Sequence, residues 1–277
     1  PNETSDLCNY IAPSNHFLES WGDAQPRKNN YYVVQPTISP LFKTRQAEQS
    51  LLTWANSPVD DFSTYIQNIW KSSLFGLQNE YSDFQSFWNN SLHNGLIELP
   101  SQSGAAGVAI DVTSFGGSIS KPGDGVEVKY YEPMGVGFGA YANNPWLQEM
   151  PDPITRTVWT SIVHIPLKWD GDSKFEYYKD LKKDGLYVDF KSGKNTVKDI
   201  PIVRQFGQMS DTIAIPVGYG RTKGNPSAEK VGNYVINTLS RDADGNIRYW
   251  NDKVEITPNG GEDKHFASVQ LHHTMGV

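Results

Sequence analysis

From about residue 104 onward the chain consists mainly of short runs of β-branched and aromatic residues, each closed off by Gly, Pro, Asn or Asp. Side chains that fork at Cβ or carry rings pack well on a pleated surface, whereas the closing residues are those that turns require. Strands are predicted over 106–112, 126–131, 157–165, 186–190, 197–203, 212–217, 231–239, 247–250, 253–257 and 266–271. Lys191-Ser-Gly-Lys194 and Asp242-Ala-Asp-Gly-Asn246 read as hairpin turns between them. One helical pattern interrupts the series. It opens at Ser173, has Glu176 in place to complete a capping box, and continues through Phe175, Tyr178 and Leu181 to Gly185. Strands this dense, with a single helix among them, suggest a closed barrel.

The first hundred residues follow a different period. Ser57-Pro58 predicts a helix start, with Asp60 and Asp61 in the first turn and an apolar stripe of Phe62, Tyr65, Ile66, Ile69 and Trp70. Another helix is predicted from Ser82, with Gln85 three residues on, Phe84, Phe87, Trp88 and Leu92 along one side, and an end near Gly95. A weaker helical pattern covers 46–56. The boundary between this mixed α/β region and the strand-rich region is placed near residue 104.

Composition narrows the function classes. With 277 residues, 38% hydrophobic and 12% aromatic, the chain can bury a substantial core. No apolar run approaches the roughly 20 residues that a membrane helix needs. A net charge of −7 argues against nucleic acid, whose phosphates are met by a surplus of Lys and Arg. Cys8 is the only cysteine. An iron–sulfur cluster takes about four thiolates, so this chain is expected to carry no cluster.

Several segments point to a family. Asn2-Glu-Thr-Ser-Asp-Leu-Cys-Asn-Tyr-Ile-Ala-Pro13 leads into His16-Phe-Leu-Glu-Ser-Trp-Gly-Asp23, then Gln35-Pro-Thr-Ile-Ser-Pro40 and Lys43-Thr-Arg45. About a hundred residues later comes Ala142-Asn-Asn-Pro-Trp-Leu-Gln-Glu-Met-Pro-Asp-Pro153, followed by Gly218-Tyr-Gly-Arg221 and Gln270-Leu-His-His273. This order resembles the end of the third domain and the opening of the fourth in molybdopterin oxidoreductases of the dimethyl-sulfoxide-reductase superfamily. Within it, the large iron–sulfur/molybdopterin-like subunit of alternative complex III, a quinol-oxidising respiratory complex, is the nearest likeness. The resemblance is weakest over 46–125.

The resemblance carries expectations. The fold class it implies is α+β and mostly β: a double-psi-type β-barrel over 104–277, like a molybdopterin-dinucleotide-binding domain, preceded over 1–103 by the tail of a Rossmann-like third domain with helices. Pro1 is not an initiator Met, and the chain is expected to be a piece of a longer parent. In that parent, molybdopterin-like domains precede it, and an iron–sulfur domain follows the segment His272-His273-Thr274-Met275. The parent partners other respiratory subunits on the periplasmic side of the inner membrane. Molybdopterin guanine dinucleotide is the cofactor such a parent can hold, and none is expected in this chain. The implied cofactor-facing residues are Asn144 and Gln148, reading pterin amides, Arg221, pairing a phosphate as a bidentate fork, and His16. Alternative complex III members resemble proteins that kept this scaffold and lost the molybdenum cofactor. In that case Arg221 should meet a carboxylate such as Glu19, Asp23 or Glu149. Trp146, between Pro145 and Pro151, is expected to be buried as a clasp between the N-terminal segment and the barrel.

Other constellations have plainer readings. Asp242 does not open a calcium loop, because position six is Ile247 and position twelve is Lys253, where Gly and Glu are needed. His272 and His273, adjacent on a strand, point to opposite faces and do not chelate together. His16 also fits a hydrogen-bonded loop residue. Gly135-Val-Gly-Phe-Gly139 and Gly218-Tyr-Gly-Arg221 can approach an anion through backbone N–H groups or serve as tight corners. Asp23, Asp124, Asp152, Asp170 and Asp172 lack a Ser-His or Cys-His partner at recognisable spacing and read as solvated loop acids. Two further readings stay open: the pterin-capping part of an active molybdenum oxidoreductase, and a secreted carbohydrate-binding β-domain built on the chain's tryptophans, acidity and strands. A lectin has no reason to carry the motif order of residues 2–45.

Overall fold

The computed structural model describes residues 2–100, 107, 112–113, 125–169 and 175–269. They fall into two compact units, Asn9–Val112 and the combination of Pro1–Cys8 with Thr113–Val277. The sequence-based boundary near 104 lies outside the described residues, as do Asp124, Asp170, Asp172, the histidine pair 272–273 and most of the strand predicted over 106–112.

In the Asn9–Val112 unit, β1 (Gly22–Arg27), β2 (Asn30–Val34) and β3 (Leu96–Glu98) form an antiparallel sheet in that order. The β1–β2 turn uses Asn29 at φ 66°, a conformation Asn tolerates better than most residues. Three helices accompany the sheet: α1 (Ala47–Trp54), α2 (Phe62–Ser73) and α3 (Phe84–Asn94). Helix α2 starts later than Ser57-Pro58 predicts. The Asp61 carboxylate accepts from the Thr64 N–H at 2.8 Å and from the Ser63 and Thr64 hydroxyls, while Ser57 Oγ closes its own small turn with the Val59 N–H. An aspartate likewise displaces the expected serine at α3, where Asp83 accepts from the Ser86 N–H at 2.9 Å. Both are ordinary N-caps. Helix α3 ends on Gly95 at φ 70°, the left-handed C-cap that glycine adopts without strain. Ile66, Trp70, Leu74, Phe87 and Trp88 pack with Val33, Ile97 and Leu99 as the core of this unit. Tyr65 and Ile69, placed on the apolar stripe by sequence, are partly exposed instead.

The second unit is mostly β. Its main sheet contains β4 (Glu127–Tyr131), β5 (Val163–Trp169), β6 (Phe175–Tyr177), β7 (Leu186–Ser192), β8 (Asn195–Phe206), β9 (Thr212–Pro216), β12 (Trp250–Asn251) and β13 (Glu255–Glu262). A short pair, β10 (Ser240–Arg241) and β11 (Ile247–Arg248), closes around the predicted Asp242–Asn246 turn. The main path runs β12-β4-β9-β5-β8-β7-β13, with β6 added beside β5, and curls into a half-barrel. Strands β4 and β9 pair in parallel, as do β5 and β8, whereas β9 meets β5 antiparallel through His164 and Ala214. Each consecutive pair, β4 with β5 and β8 with β9, is thus split by a strand of the other. The inner face buries Val128, Tyr130, Val163, Ile165, Val188, Phe190, Ile200, Ile202, Ile213 and Ile215. These side chains alternate along their strands, as a sheet with one covered face demands.

Two predicted elements are replaced, and in the described part of the strand predicted over 266–271 only an isolated bridge between Thr157 and Ser268 forms. The helix predicted over 173–185 is not formed in the described residues 175–185: Phe175–Tyr177 pairs with Leu167–Trp169 as β6, and the 3-10 turn that follows breaks at Lys179 (φ 48°) and Asp180 (φ 58°). The capping signature was local, and pairing with β5 outweighed it. The strand over 231–239 is an irregular segment with a 3-10 turn at Ile236–Thr238. It bends at Gly232, where a Cβ would lie 2.7 Å from Ser161 N, and Asn233 is held by the Ser161 hydroxyl. Among the described residues no helix is long and apolar enough to cross a membrane.

Candidate functional site

The two glycine-rich turns singled out from sequence meet within the β unit. A Cβ on Gly218 would lie 2.3 Å from Gly137 O, and one on Gly139 would lie 3.1 Å from Gly218 O, so only glycine permits this approach. Val136, Ala142, Tyr219 and Ala228 make a small buried cluster beneath the turns. This junction fixes Arg221, whose Nη1 donates to Gly139 O at 2.8 Å.

The rest of the Arg221 guanidinium faces Glu3. Its Nε donates to Oε1 and Oε2 at 3.1 and 2.9 Å, and Nη2 donates to Oε2 at 2.6 Å. The same carboxylate accepts from the Thr222 and Lys223 N–H groups at 2.8 and 3.1 Å. Arg221 and these amides hold Glu3 far below the usual carboxylate range, against a smaller opposing effect of burial. Lys223 adds a 3.2 Å ion pair to Asp6. A carboxylate does meet Arg221, then, but it is Glu3 and not Glu19, Asp23 or Glu149.

The other predicted contacts are engaged locally. Asn144 caps α4 (Pro145–Gln148), its Oδ1 accepting from the Trp146 and Leu147 N–H groups at 3.0 and 3.4 Å. Gln148 points inward and is 1% exposed; its Nε2 donates to Ala142 O at 3.0 Å, and its Oε1 is buried with no hydrogen-bond partner among the described residues. His16 lies in the other unit, where Nδ1 accepts from the Leu18 N–H at 3.3 Å and the His16 N–H donates to Glu19. That is the capped loop residue of the plainer reading. Trp146 is 82% exposed, contrary to the clasp expectation, because α4 is a single turn that turns Gln148 inward and leaves Trp146 outward. Trp146→Ala should accordingly change stability by no more than about 0.5 kcal/mol, as surface substitutions do. A urea midpoint compared between wild type and variant checks this.

A second constellation, which the sequence did not suggest, lies on the sheet. Strand β9 inserts between β4 and β5 and brings Tyr131 and His164 together, and the loop after α4 adds Asp152. Tyr131 Oη lies 2.7 Å from His164 Nε2 and 3.0 Å from Asp152 Oδ2. Asp152 Oδ1 accepts from the Ile154 and Thr155 N–H groups and the Thr155 hydroxyl. Asp152 is therefore not a solvated loop acid; Asp23 is exposed, but it lies on β1 and accepts from Trp70 Nε1 at 2.8 Å. Burial pushes the Asp152 carboxyl up, but the Thr155 and Ile154 amides and the Tyr131 hydroxyl outweigh it and leave the group ionised. Burial depresses His164 to about 4, with Asp152 opposing, so its imidazole is neutral near pH 7. Burial and then Asp152 raise the Tyr131 hydroxyl far above its ordinary value, and Tyr219 nearby is pushed up to about 12.

Proton positions follow from this inventory. The carboxylate only accepts, so the Tyr131 hydroxyl donates to it; Tyr131 Oη then accepts, and His164 donates from Nε2. Tautomer and direction are thereby set along the chain His164, Tyr131, Asp152. All three line a cleft of about 500 Å³ whose walls include Met134, Ile154, Phe206 and Ala214. A second cleft of about 420 Å³, in the other unit, is lined by Glu19, Trp21, Gln46 and Asp61 among others. Its polar groups serve as helix caps and backbone ties, as Glu19 does for Leu41 N–H and Gln46 for Trp21.

No protein-family profile and no curated protein matches the sequence. Among solved structures, the chain is similar to acetylene hydratase from Pelobacter acetylenicus, with a TM-score of 0.56 and 12% identity. The match covers 93% of this chain and 39% of that one, so the chain spans about two fifths of that protein's length, and the likeness is one of fold.

Proposed function

We propose that this chain is a molybdopterin-domain-like scaffold whose anion-facing turn is closed by its own side chains. The carrying observation is the Arg221–Glu3 pair: the fork that would meet a cofactor phosphate already meets a carboxylate through three guanidinium contacts and two backbone amides. The remaining implied contacts do not fit a pterin dinucleotide either. The Asn144 oxygen is spent on a helix cap, the Gln148 nitrogen on Ala142, and the unpartnered Gln148 oxygen is enclosed at 1% exposure. The likeness of fold to acetylene hydratase supports the domain assignment. The interlocked β4/β9 and β5/β8 pairings support a double-psi-type arrangement of the half-barrel.

On the motifs of residues 2–45 and 142–153, the scaffold belongs to a quinol-oxidising complex on the periplasmic side of the inner membrane. Its partners there are molybdopterin-like domains, an iron–sulfur domain and other respiratory subunits. Electron transfer takes place on those partners, and this chain holds them in register.

The test is thermal melting with a pterin dinucleotide. We expect no shift, whereas a saturable rise identifies a retained pterin-capping site. Glu3→Gln and Arg221→Ala should each lower stability by about 1 kcal/mol, a modest figure because the pair is 38% and 20% exposed at its two side chains. The two losses should also be strongly non-additive in a double-mutant cycle.

A further inference from the structure

The cleft above Tyr131, His164 and Asp152 takes no part in the scaffold role, and the groups left over at its floor are acceptors. We propose that it is a binding site for a small, flat, apolar molecule carrying an N–H or O–H donor. Size and walls set the first half of that description. About 500 Å³ lined by Met134, Ile154, Phe206 and Ala214 suits a one- or two-ring apolar body. Met134, Ile154 and Phe206 are 72%, 64% and 54% exposed, so the mouth presents apolar surface to solvent.

The floor sets the second half. The single Tyr131 hydroxyl proton is committed to Asp152, and the His164 Nε2 proton to Tyr131. Gln208 also lines the cleft, and its Nε2 spends both protons on His164 O and Thr212 O. Among the described residues no donor meets Gln208 Oε1 or His164 Nδ1. The polar groups left over at the floor are therefore acceptors, and a ligand donor placed there finds a partner, while Lys129 and Gln205 can donate from the cleft's walls. The Asp152 carboxylate beneath them adds negative potential, which also favours a donor. None of Asn144, Gln148, Arg221 or His16 lines this cleft.

Indole and indene are near-isosteric probes that differ in the donor, and ligand-observed NMR on the full chain compares them. Indole should bind saturably and about tenfold more tightly than indene, the worth of one hydrogen bond to an otherwise unpaired acceptor. Ala214→Leu, which fills the cleft from β9, should abolish binding of both while leaving the far-ultraviolet ellipticity unchanged. Gln208→Leu keeps the volume and should shrink the indole advantage, a readout that a loosened fold does not produce. Equal affinity for the two probes, no saturable binding at millimolar concentration, or binding that persists in a folded Ala214→Leu variant overturns the proposal.

Discussion

Acidifying the protein from pH 7 to pH 4 should remove about 3 kcal/mol of stability from the β unit through one buried imidazole. The source is His164, which is 4% exposed and titrates near 4 in the fold instead of 6.5. Throughout that interval the unfolded chain binds a proton that the folded chain refuses. Stability therefore rises with pH across the interval and is lost as pH falls, at about 1.4 kcal/mol per unit. Below about 4 both states are protonated and this loss levels off. Carboxylates with lowered folded values, among them Glu3, Asp152 and Asp242, act in a lower window: their stabilisation is complete about a unit above the ordinary values of 4.5 and 3.8 and fades as pH falls from there. Urea midpoints between pH 7 and about 5.5 thus isolate the imidazole. His164→Gln retains an N–H donor for Tyr131 and has no proton to gain, so its midpoint should stay flat over the same range. A wild-type profile that is equally flat shows that His164 protonates freely in the fold and that the buried chain of three is not closed to water.

The difference between what the sequence disclosed and what it concealed has physical causes. Most strands of the sheet were legible because β-branched residues alternate on them and Gly, Pro or Asn ends them. The turns at Gly193 and Asp242–Asn246 were legible for the same reason: their backbone demands particular residues at fixed offsets. Helix starts were misplaced by one to four residues because a serine and an aspartate competed for each cap and the charged oxygen won. The false helix near 173–185 shows the limit of local signals, since a capping box is outweighed by pairing to a neighbouring strand. The residue class that closes Arg221 could be anticipated from the cost of leaving a guanidinium unpaired. Its identity could not, because Glu3 lies 218 residues away and nothing in its own surroundings marks it. Tyr131, Asp152 and His164 were hidden for a related reason. They come from two strands that do not touch and a loop, and only the insertion of β9 sets their spacing.

In the helical unit the largest single loss should follow Trp70→Ala, at about 3–5 kcal/mol. Trp70 is 1% exposed on α2 and sits among Tyr31, Phe87 and Trp88, with ring centroids 6.3, 6.2 and 5.4 Å away. Neighbours on a strand and on a second helix cannot both collapse into the space an indole leaves, so the cavity persists and adds to the lost transfer free energy. Its Nε1–H also donates to Asp23 on β1, tying the helix to the sheet. Trp70→Phe separates the two contributions. A phenyl ring keeps most of the packing, and the Asp23 carboxylate loses its donor, so the loss should fall to about 1–3 kcal/mol. Helices α1 to α3 all belong to this unit, so ellipticity at the helical wavelength followed in urea reports it selectively. Asp23→Asn should resemble Trp70→Phe in size, because an amide oxygen still accepts but without charge. If Trp70→Ala costs no more than Trp70→Phe, the aromatic cluster is not the core of this unit and the Asp23 tie alone holds α2 to the sheet.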